Sequence, residues 1–299
     1  MSAPPTYDQA TAHPSQPGFD GKAYGYNQPA PAAYGYNQGQ YSYDQEPQIN
    51  PSSAPANSHS EEMGVAVAGF NPSSFSDKAV RRGFIKKVYL ILTAQVLVTV
   101  AFICFFIFVI PVKNWVRTDG LWFYICAYCT FLITYFVLVC CPSVRRKSPG
   151  NFICLIVFTI AFSYMAGTIS SFHDTKIVLL AMGITAAVCI SISIFAIQTK
   201  IDFTLCSGLL FVLVMVLFFF GWACMISYYA WGHGAILNAV YAGLGALVFA
   251  LFLIYDTQMI MGGRKIELSP EEYIYGALQL YIDVVYIFLF LLSLMGKSN

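Results

Sequence analysis

The sequence predicts an all-α polytopic membrane protein, a seven-transmembrane-helix bundle that follows a disordered N-terminal tail. Of the 299 residues, 58% are hydrophobic and only 10% are charged, a composition that water-soluble domains do not show. Apolar runs of about 20 residues, long enough to cross a hydrocarbon core of about 30 Å, recur along residues 76–299. Residues 1–75 are instead rich in Pro, Tyr, Asn and Gln, so this segment cannot bury enough apolar surface to offset the entropy lost on ordering.

Seven apolar runs mark the predicted spans. The first five carry a strong hydropathy signal, whereas the sixth contains Asp256 and the seventh contains Asp283. The charge in the last run leaves open a six-span alternative in which the seventh segment is re-entrant and the C-terminus is cytosolic. The predicted spans cover residues 88–110, 121–141, 152–170, 177–197, 203–226, 240–261 and 273–295.

The distribution of basic residues predicts the orientation of the bundle. If the tail is cytosolic, 12 Lys and Arg residues lie on the cytosolic side and four lie on the opposite side, as the positive-inside rule favours. Seven spans then place the C-terminus outside. The cytosolic set is Lys22, Lys78, Arg81, Arg82, Lys86, Lys87, Arg145, Arg146, Lys147, Lys200, Arg264 and Lys265; the opposite set is Lys113, Arg117, Lys176 and Lys297.

All nine cysteines fall within or at the edge of apolar runs, so a disulfide framework is not expected. Cys126 and Cys129 form a C-x-x-C pair without a neighbouring His, so a metal or redox role is not favoured. Cys140 and Cys141 lie at the inner boundary, where palmitoylation is an alternative. For all of them, packing as small buried hydrophobic residues is the favoured interpretation.

The tail contains one short recognition motif, PPTY, at Pro4, Pro5 and Tyr7. It fits the P-P-x-Y ligand of WW domains, whose aromatic groove accepts prolines that are already held in a polyproline II conformation. The motif predicts recruitment of a WW-domain partner such as a ubiquitin ligase.

Two carboxylates within neighbouring spans are the strongest candidates for function. Asp256 lies five residues from the cytosolic end of the sixth span and Asp283 about ten residues into the seventh, roughly 7 and 15 Å below the inner boundary in upright helices. An intramembrane carboxylate costs at least about 2.5 kcal/mol, so we expect the two to be paired, protonated or functional. As neighbours they would titrate as a unit, and they offer hard oxygen ligands to calcium. Proton and divalent cation would then compete for one site.

The surroundings of the two carboxylates are also patterned. On the seventh span Gln279, Asp283 and Tyr286 follow i, i+4, i+7 spacing, which gives one polar stripe that must face protein or water. On the sixth span small residues recur every four positions, a pattern that lets helix backbones approach closely: Ala242, Ala246 and Ala250.

Residues 255–296, YDTQMIMGGRKIELSPEEYIYGALQLYIDVVYIFLFLLSLMG, closely resemble the signature of the transmembrane Bax inhibitor motif family, specifically its Lifeguard branch. The resemblance extends over residues 76–296 and rests on an Asp followed by Thr-Gln, on Ser-Pro-Glu-Glu-Tyr and on Leu-Tyr-x-Asp. It implies a calcium leak pathway that suppresses cell death, with Asp256 and Asp283 as a pH-sensitive gating pair. In some bacterial relatives a basic residue of the second helix latches the sixth-helix carboxylate, and Arg145 and Arg146, just beyond the second span, are the candidates here.

The resemblance also implies where the protein acts and with what. Internal membranes are expected (Golgi, endoplasmic reticulum, and conceivably endosome, lysosome or plasma membrane). The expected partners are the lipid bilayer, calcium ions, protons and cell-death regulators. Calcium is expected as the transported ion rather than as a cofactor, and nothing in the sequence indicates binding to nucleic acid.

Two other function classes compete with a calcium leak. An intramembrane aspartyl protease also needs two aspartates on neighbouring helices, but presenilin-like enzymes carry G-x-G-D, whereas Leu280, Tyr281 and Ile282 precede Asp283. His173 and His233 lie in outer loops without a G-x-S-G motif. The chain is therefore not expected to be an enzyme. The stronger rival is a non-conducting scaffold that regulates apoptosis through its tail, with aspartates that only hold the bundle together.

Overall fold

A computed structural model describes residues 72–232 and 234–296. The WW-domain ligand predicted at Pro4, Pro5 and Tyr7, almost all of the predicted tail, and His233 lie outside the described residues. The described part of the chain folds into helices α1 to α9: Pro72–Phe108, Ile110–Thr118, Leu121–Cys140, Pro142–Arg146, Gly150–Ser171, Thr175–Gln198, Ser207–Trp231, Ala235–Met261 and Tyr273–Met295. Short 3-10 turns at Phe203–Cys206 and Pro270–Glu272 precede α7 and α9.

Seven of these helices are long and apolar enough to cross a membrane; they are α1, α3 and α5 to α9, and they confirm the seven predicted spans. The re-entrant alternative for the last span is wrong, because α9 is a continuous helix of 23 residues. Glu272, just before α9, contacts Arg145 ahead of α5. Gly296, just after α9, packs against His173 beyond the end of α5. The helix therefore runs from one end of the bundle to the other.

The residues predicted to be cytosolic meet at one end of the bundle. Arg81 of α1 forms an ion pair with Glu267, which lies in the loop between α8 and α9; the N···O distance is 3.0 Å. In the same loop, Arg264 donates a 3.2 Å hydrogen bond to the carbonyl of Lys200. At the other end Arg117 lies over the ring of Phe172. Neighbouring spans thus alternate in direction, as the count of basic residues requires.

α1 begins 16 residues before the predicted start of the first span. The extension carries charged residues, which a hydropathy scan excludes, but Phe84 and Val88 on it are buried. Arg81 also donates a 2.7 Å hydrogen bond to the carbonyl of Leu268. This contact is possible because Gly262 ends α8 at a positive φ of 75°, and a Cβ there would lie 2.8 Å from the Arg81 guanidinium.

α9 is the central helix of the bundle and packs against α1, α5, α6 and α8. Most of its residues between Ile274 and Leu292 are buried. A helix surrounded by other helices need not be apolar on every face, because its polar groups can meet protein groups instead of lipid. This explains how a span that contains a carboxylate forms the core.

The predicted close approach of α8 to α9 is present, but its tightest point lies one residue away from the expected pattern. Ala242 is buried, while Ala246 and Ala250 are half-buried. At Gly245 a Cβ atom would lie only 2.4 Å from the ring of Phe290. Glycine at this position therefore allows the two helices to pack at this depth.

All nine cysteines lie within the described residues and are free. The prediction that they pack as buried residues is wrong for Cys126, Cys129, Cys140 and Cys141, which are exposed. α3 packs against α5, and the surface that carries its cysteines faces outward, where the surroundings of a membrane span are lipid. Cysteine is apolar enough to be tolerated there.

Candidate functional site

Asp256 of α8 and Asp283 of α9 meet inside the bundle. Their side chains are within hydrogen-bonding reach of each other, and only 2% and 3% of the two residues are exposed. Upright helices with level ends would hold them about 8 Å apart in depth, so the end of α8 and the start of α9 are not level. The connecting loop turns back onto α8, where the amide of Leu268 donates to the carbonyl of Met259 at 2.9 Å.

The two carboxyls line a cavity of about 620 Å³. α8 and α9 form its polar side, and the facing walls come from α3 and from the start of α7. α3 packs mainly on α5 and α7 packs mainly on α8, so the two wall helices stand on either side of the cavity. Aromatic and aliphatic side chains make up most of the lining, including Phe131, Tyr135, Leu210, Val214, Phe249 and Phe252.

Three buried oxygen atoms on the polar side of the cavity lack a donor. Within the described part of the chain, no hydrogen bond reaches Asp256 Oδ2, Asp283 Oδ2 or Gln279 Oε1. A buried acceptor without a partner costs about 1–3 kcal/mol, and two adjacent carboxylates also repel each other. A proton shared between the two carboxyls reduces both costs, and so does a cation in the cavity. The site is therefore a cluster of hydrogen-bond acceptors that a proton or a cation would stabilise.

The predicted polar stripe of α9 faces this cavity, since Gln279, Asp283 and Tyr286 all line it. The ring of Tyr286 stacks on Phe249 of α8, with ring centroids 4.5 Å apart, and lies 5.3 Å from the ring of Phe162 on α5. Tyr286 thus fixes the cavity wall beside the carboxyls through aromatic packing.

The two arginines predicted as a latch do not bind Asp256. Arg145 and Arg146 both pair with Glu272, each with an N···O distance of 2.5 Å. The guanidinium of Arg145 also donates to the carbonyl of Val139 at 2.8 Å. These arginines follow the end of α3, level with the start of α9, whereas Asp256 lies deeper in the bundle. In place of the expected latch, Arg145, Arg146 and Glu272 form an ion-pair cluster between the end of α3 and the start of α9, called the clasp below.

Glu272, which no sequence pattern singled out, is 3% exposed and carries the only buried carboxylate outside the aspartate pair in the described residues. Arg145 also lies over the ring of Tyr275 at 4.9 Å, and Tyr275 lines the cavity. The clasp therefore borders the cavity at its outer end. Two adjacent arginines after a span, together with an acidic pair at the start of another, are the signal that could have indicated it.

A second polar cluster, also missed, lies on another face of α9. The hydroxyl of Tyr281 shares hydrogen bonds with Thr99 of α1 at 2.8 Å and with Ser163 of α5 at 3.3 Å. Thr99 and Ser163 also bond to each other at 2.9 Å. In this hydroxyl cluster every member has a partner, and Tyr281 is fully buried. Isolated hydroxyls on three helices give no sequence signal that they meet.

Polar contacts also connect the loops at the end of the bundle predicted to be cytosolic. Asp202 accepts hydrogen bonds from the hydroxyl of Thr204 at 2.6 Å and from the amide of Lys265 at 3.1 Å. These hydrogen bonds hold the pKa of Asp202 below its ordinary value, and the bond from the Thr204 hydroxyl has the largest effect. Gln258 of α8 accepts from the amide of Phe203 at 2.8 Å. The turn before α7 is thereby fixed to α8, two residues from Asp256.

The donor set indicates what kind of metal binding is possible. In residues 72–232 and 234–296 no three His, Cys, Asp or Glu side chains converge on one point. Calcium takes six to eight oxygen ligands, and two carboxyls with one amide oxygen would leave most positions to water. The arrangement is suited to a passing hydrated cation rather than to a tightly held one.

Comparison with known proteins agrees with this architecture. The family described as inhibitor of apoptosis-promoting Bax1 matches residues 81–299. Protein lifeguard 3 of Homo sapiens is 44% identical over 297 residues, which cover 96% of this chain and 89% of that protein. Protein lifeguard 3 of Mus musculus is 43% identical over 300 residues, 99% of this chain and 90% of that protein. Bax inhibitor 1 of Schizosaccharomyces pombe is 31% identical over 222 residues, 73% of this chain and 78% of that protein.

Proposed function

Since this chain belongs to the Bax inhibitor family, with Lifeguard proteins among its relatives, we propose that it is a pH-sensitive calcium leak channel of internal membranes that lowers stored calcium and so suppresses cell death. The observation that carries the proposal is the pair Asp256 and Asp283, buried together on a cavity without donors to their Oδ2 atoms. Family membership itself associates the chain with inhibition of apoptosis.

The proposed gating follows from the charge of the pair. Two full charges about 4 Å apart repel by about 4 kcal/mol at an effective dielectric near 20, so at neutral pH the pair retains one shared proton. A calcium ion that enters the cavity neutralises both carboxylates and displaces that proton. Acid favours the protonated pair and opposes calcium entry. Proton and calcium thus exchange at one site, and the exchange gates a cation path near the cytosolic side.

The cavity supports this proposal through its position. It contains the two carboxyls and extends to Tyr275, which contacts Arg145 of the clasp, at the end of the bundle predicted to be cytosolic. The clasp is charged and partly exposed, whereas the carboxyls are buried. A cation that leaves the pair toward this end needs to cross only the outer part of the cavity.

Calcium flux from liposomes that contain only the purified protein tests the proposal. We expect the wild type to leak calcium with a rate that depends on pH near neutrality. Asp256→Asn and Asp283→Asn should each lose that pH dependence, whatever the size of the remaining flux, because the surviving carboxylate no longer shares a proton. The double variant should behave like the single variants.

Asp119→Asn is the matched control, because Asp119 is an exposed carboxylate at the opposite end of the bundle. It should keep the wild-type pH profile. A wild type that does not leak calcium in liposomes would favour the non-conducting scaffold. Single variants with the wild-type pH profile would make the two aspartates independent structural groups.

A further inference from the structure

The cavity beside Asp256 and Asp283 is lined mainly by apolar side chains, which contribute nothing to the binding of a hydrated ion. Its volume of about 620 Å³ lies in the range of small-molecule sites, about 300–1,000 Å³. Apolar walls with a few convergent polar groups are typical of such sites. The composition of the wall therefore suits an organic ligand with a long apolar part.

The cavity also faces the surroundings of the bundle. Phe136 on α3 and Phe211 on α7 both line it, and 57% and 63% of these residues are exposed. They lie within membrane spans, so their exposed surfaces contact lipid. A ligand with a hydrocarbon chain can therefore enter between α3 and α7 from the bilayer.

The polar side of the cavity selects the charge of such a ligand. Its buried, unpartnered atoms are three oxygens, Asp256 Oδ2, Asp283 Oδ2 and Gln279 Oε1, and all three residues line the cavity. A primary ammonium group offers three N–H donors and no acceptor. Tyr286 and Phe249 add aromatic surface next to the carboxyls, and aromatic faces attract cations. An anionic or uncharged head group would leave at least one carboxylate uncompensated.

We propose that this cavity is a binding site for single-chain amphiphiles with a primary amine head group. The ammonium group lies against Asp256, Asp283 and Gln279, and the hydrocarbon chain lies between α3 and α7. The proposal depends on the cavity and not on calcium conduction. A bound ammonium occupies the positions that a calcium ion would need, so the two ligands compete.

Binding of dodecylamine to the purified full-length protein in detergent tests the proposal, with the uncharged dodecanol as the matched ligand. The affinity follows from the rise in melting temperature as ligand is added. We expect dodecylamine to bind at least about tenfold more tightly than dodecanol, since hydrogen bonds to charged groups are stronger than neutral ones. Equal affinities of the two compounds would overturn the proposal.

Variants locate the head group. Asp283→Asn should weaken dodecylamine binding at least about tenfold and leave dodecanol binding unchanged. Asp174→Asn, at an exposed carboxylate outside the cavity, should bind both compounds as the wild type does. Equal weakening by the two substitutions would show that the amine responds to overall charge and would overturn the assigned site.

A second pair of variants locates the hydrocarbon chain of the ligand without disturbing the buried carboxyls. Val214→Trp on α7 adds bulk inside the cavity, whereas Val216→Trp, two residues further along the same helix, adds it on the exposed surface. The first should abolish dodecylamine binding and the second should preserve it. Unchanged binding in Val214→Trp would exclude this cavity. None of these measurements requires calcium flux. A protein that does not leak calcium can therefore still show the amine-binding site.

Discussion

Tyr281 and Asp283 lie two residues apart on α9, and both are buried, but they have opposite surroundings. The Tyr281 hydroxyl meets Thr99 and Ser163 in a closed set of hydrogen bonds at 2.8–3.3 Å. Asp283 faces Asp256 across a cavity, and neither Oδ2 atom receives a hydrogen bond from the described residues.

The difference separates polar groups that hold the bundle together from groups that remain available to a ligand. A buried hydrogen bond with both partners present contributes about 0.5–1.5 kcal/mol, whereas an acceptor without a donor costs about 1–3 kcal/mol. The face of α9 that bears Tyr281 therefore stabilises the fold. The face that bears Asp283 reduces stability unless a proton or a cation is supplied, and this is the property that a gating site requires.

The largest effect is expected where the two arginines of the clasp lose their buried partner. Glu272→Gln removes the carboxylate that both Arg145 and Arg146 contact. Breaking a buried ion pair costs about 3–5 kcal/mol, and because Arg146 is half-exposed we expect the lower end, about 3 kcal/mol. Unfolding of the purified protein in denaturing detergent measures the loss.

Glu271→Gln is the matched control for that measurement, because Glu271 is the exposed neighbour of Glu272. It should change stability by less than about 0.5 kcal/mol. Equal losses of stability in the two variants would mean that the ion pairs of the clasp add nothing to the free energy of unfolding beyond an effect of surface charge.

A smaller effect distinguishes the two faces of α9 directly. Tyr281→Phe removes a hydroxyl from the closed cluster and should cost about 1 kcal/mol. Asp283→Asn keeps one negative charge at the site and replaces the shared proton with an amide donor, so it should leave stability nearly unchanged. Melting temperatures at neutral pH compare the two. A large loss in Asp283→Asn with none in Tyr281→Phe would reverse the assignment of the faces.

Hydropathy and helix periodicity predict much of this architecture. The number of spans, the start of α3 at Leu121 and the ends of α8 and α9 at Met261 and Met295 follow from the apolar runs, because lipid imposes that pattern on the sequence. The alignment of Gln279, Asp283 and Tyr286 on one face follows from helical spacing. The rule that intramembrane carboxylates find partners pointed to the meeting of Asp256 with Asp283.

Other features depend on which helices become neighbours, and periodicity contains no such information. Glu272 could be assigned to Arg145 and Arg146 only once α9 was known to start beside the end of α3. The hydroxyls of Thr99, Ser163 and Tyr281 look like ordinary residues of apolar helices until the three helices pack. The extension of α1 ahead of Val88 was missed because its buried residues alternate with charged ones.

Release of protons on calcium binding tests the central claim most directly, namely that Asp256 and Asp283 exchange a shared proton for a calcium ion. A weakly buffered solution of the purified protein near pH 7, with a pH indicator, reports the release when calcium is added. The wild type and Tyr281→Phe should both release protons. Asp256→Asn and Asp283→Asn should release none, because a single carboxylate is already ionised. Undiminished release from either aspartate variant would contradict the account.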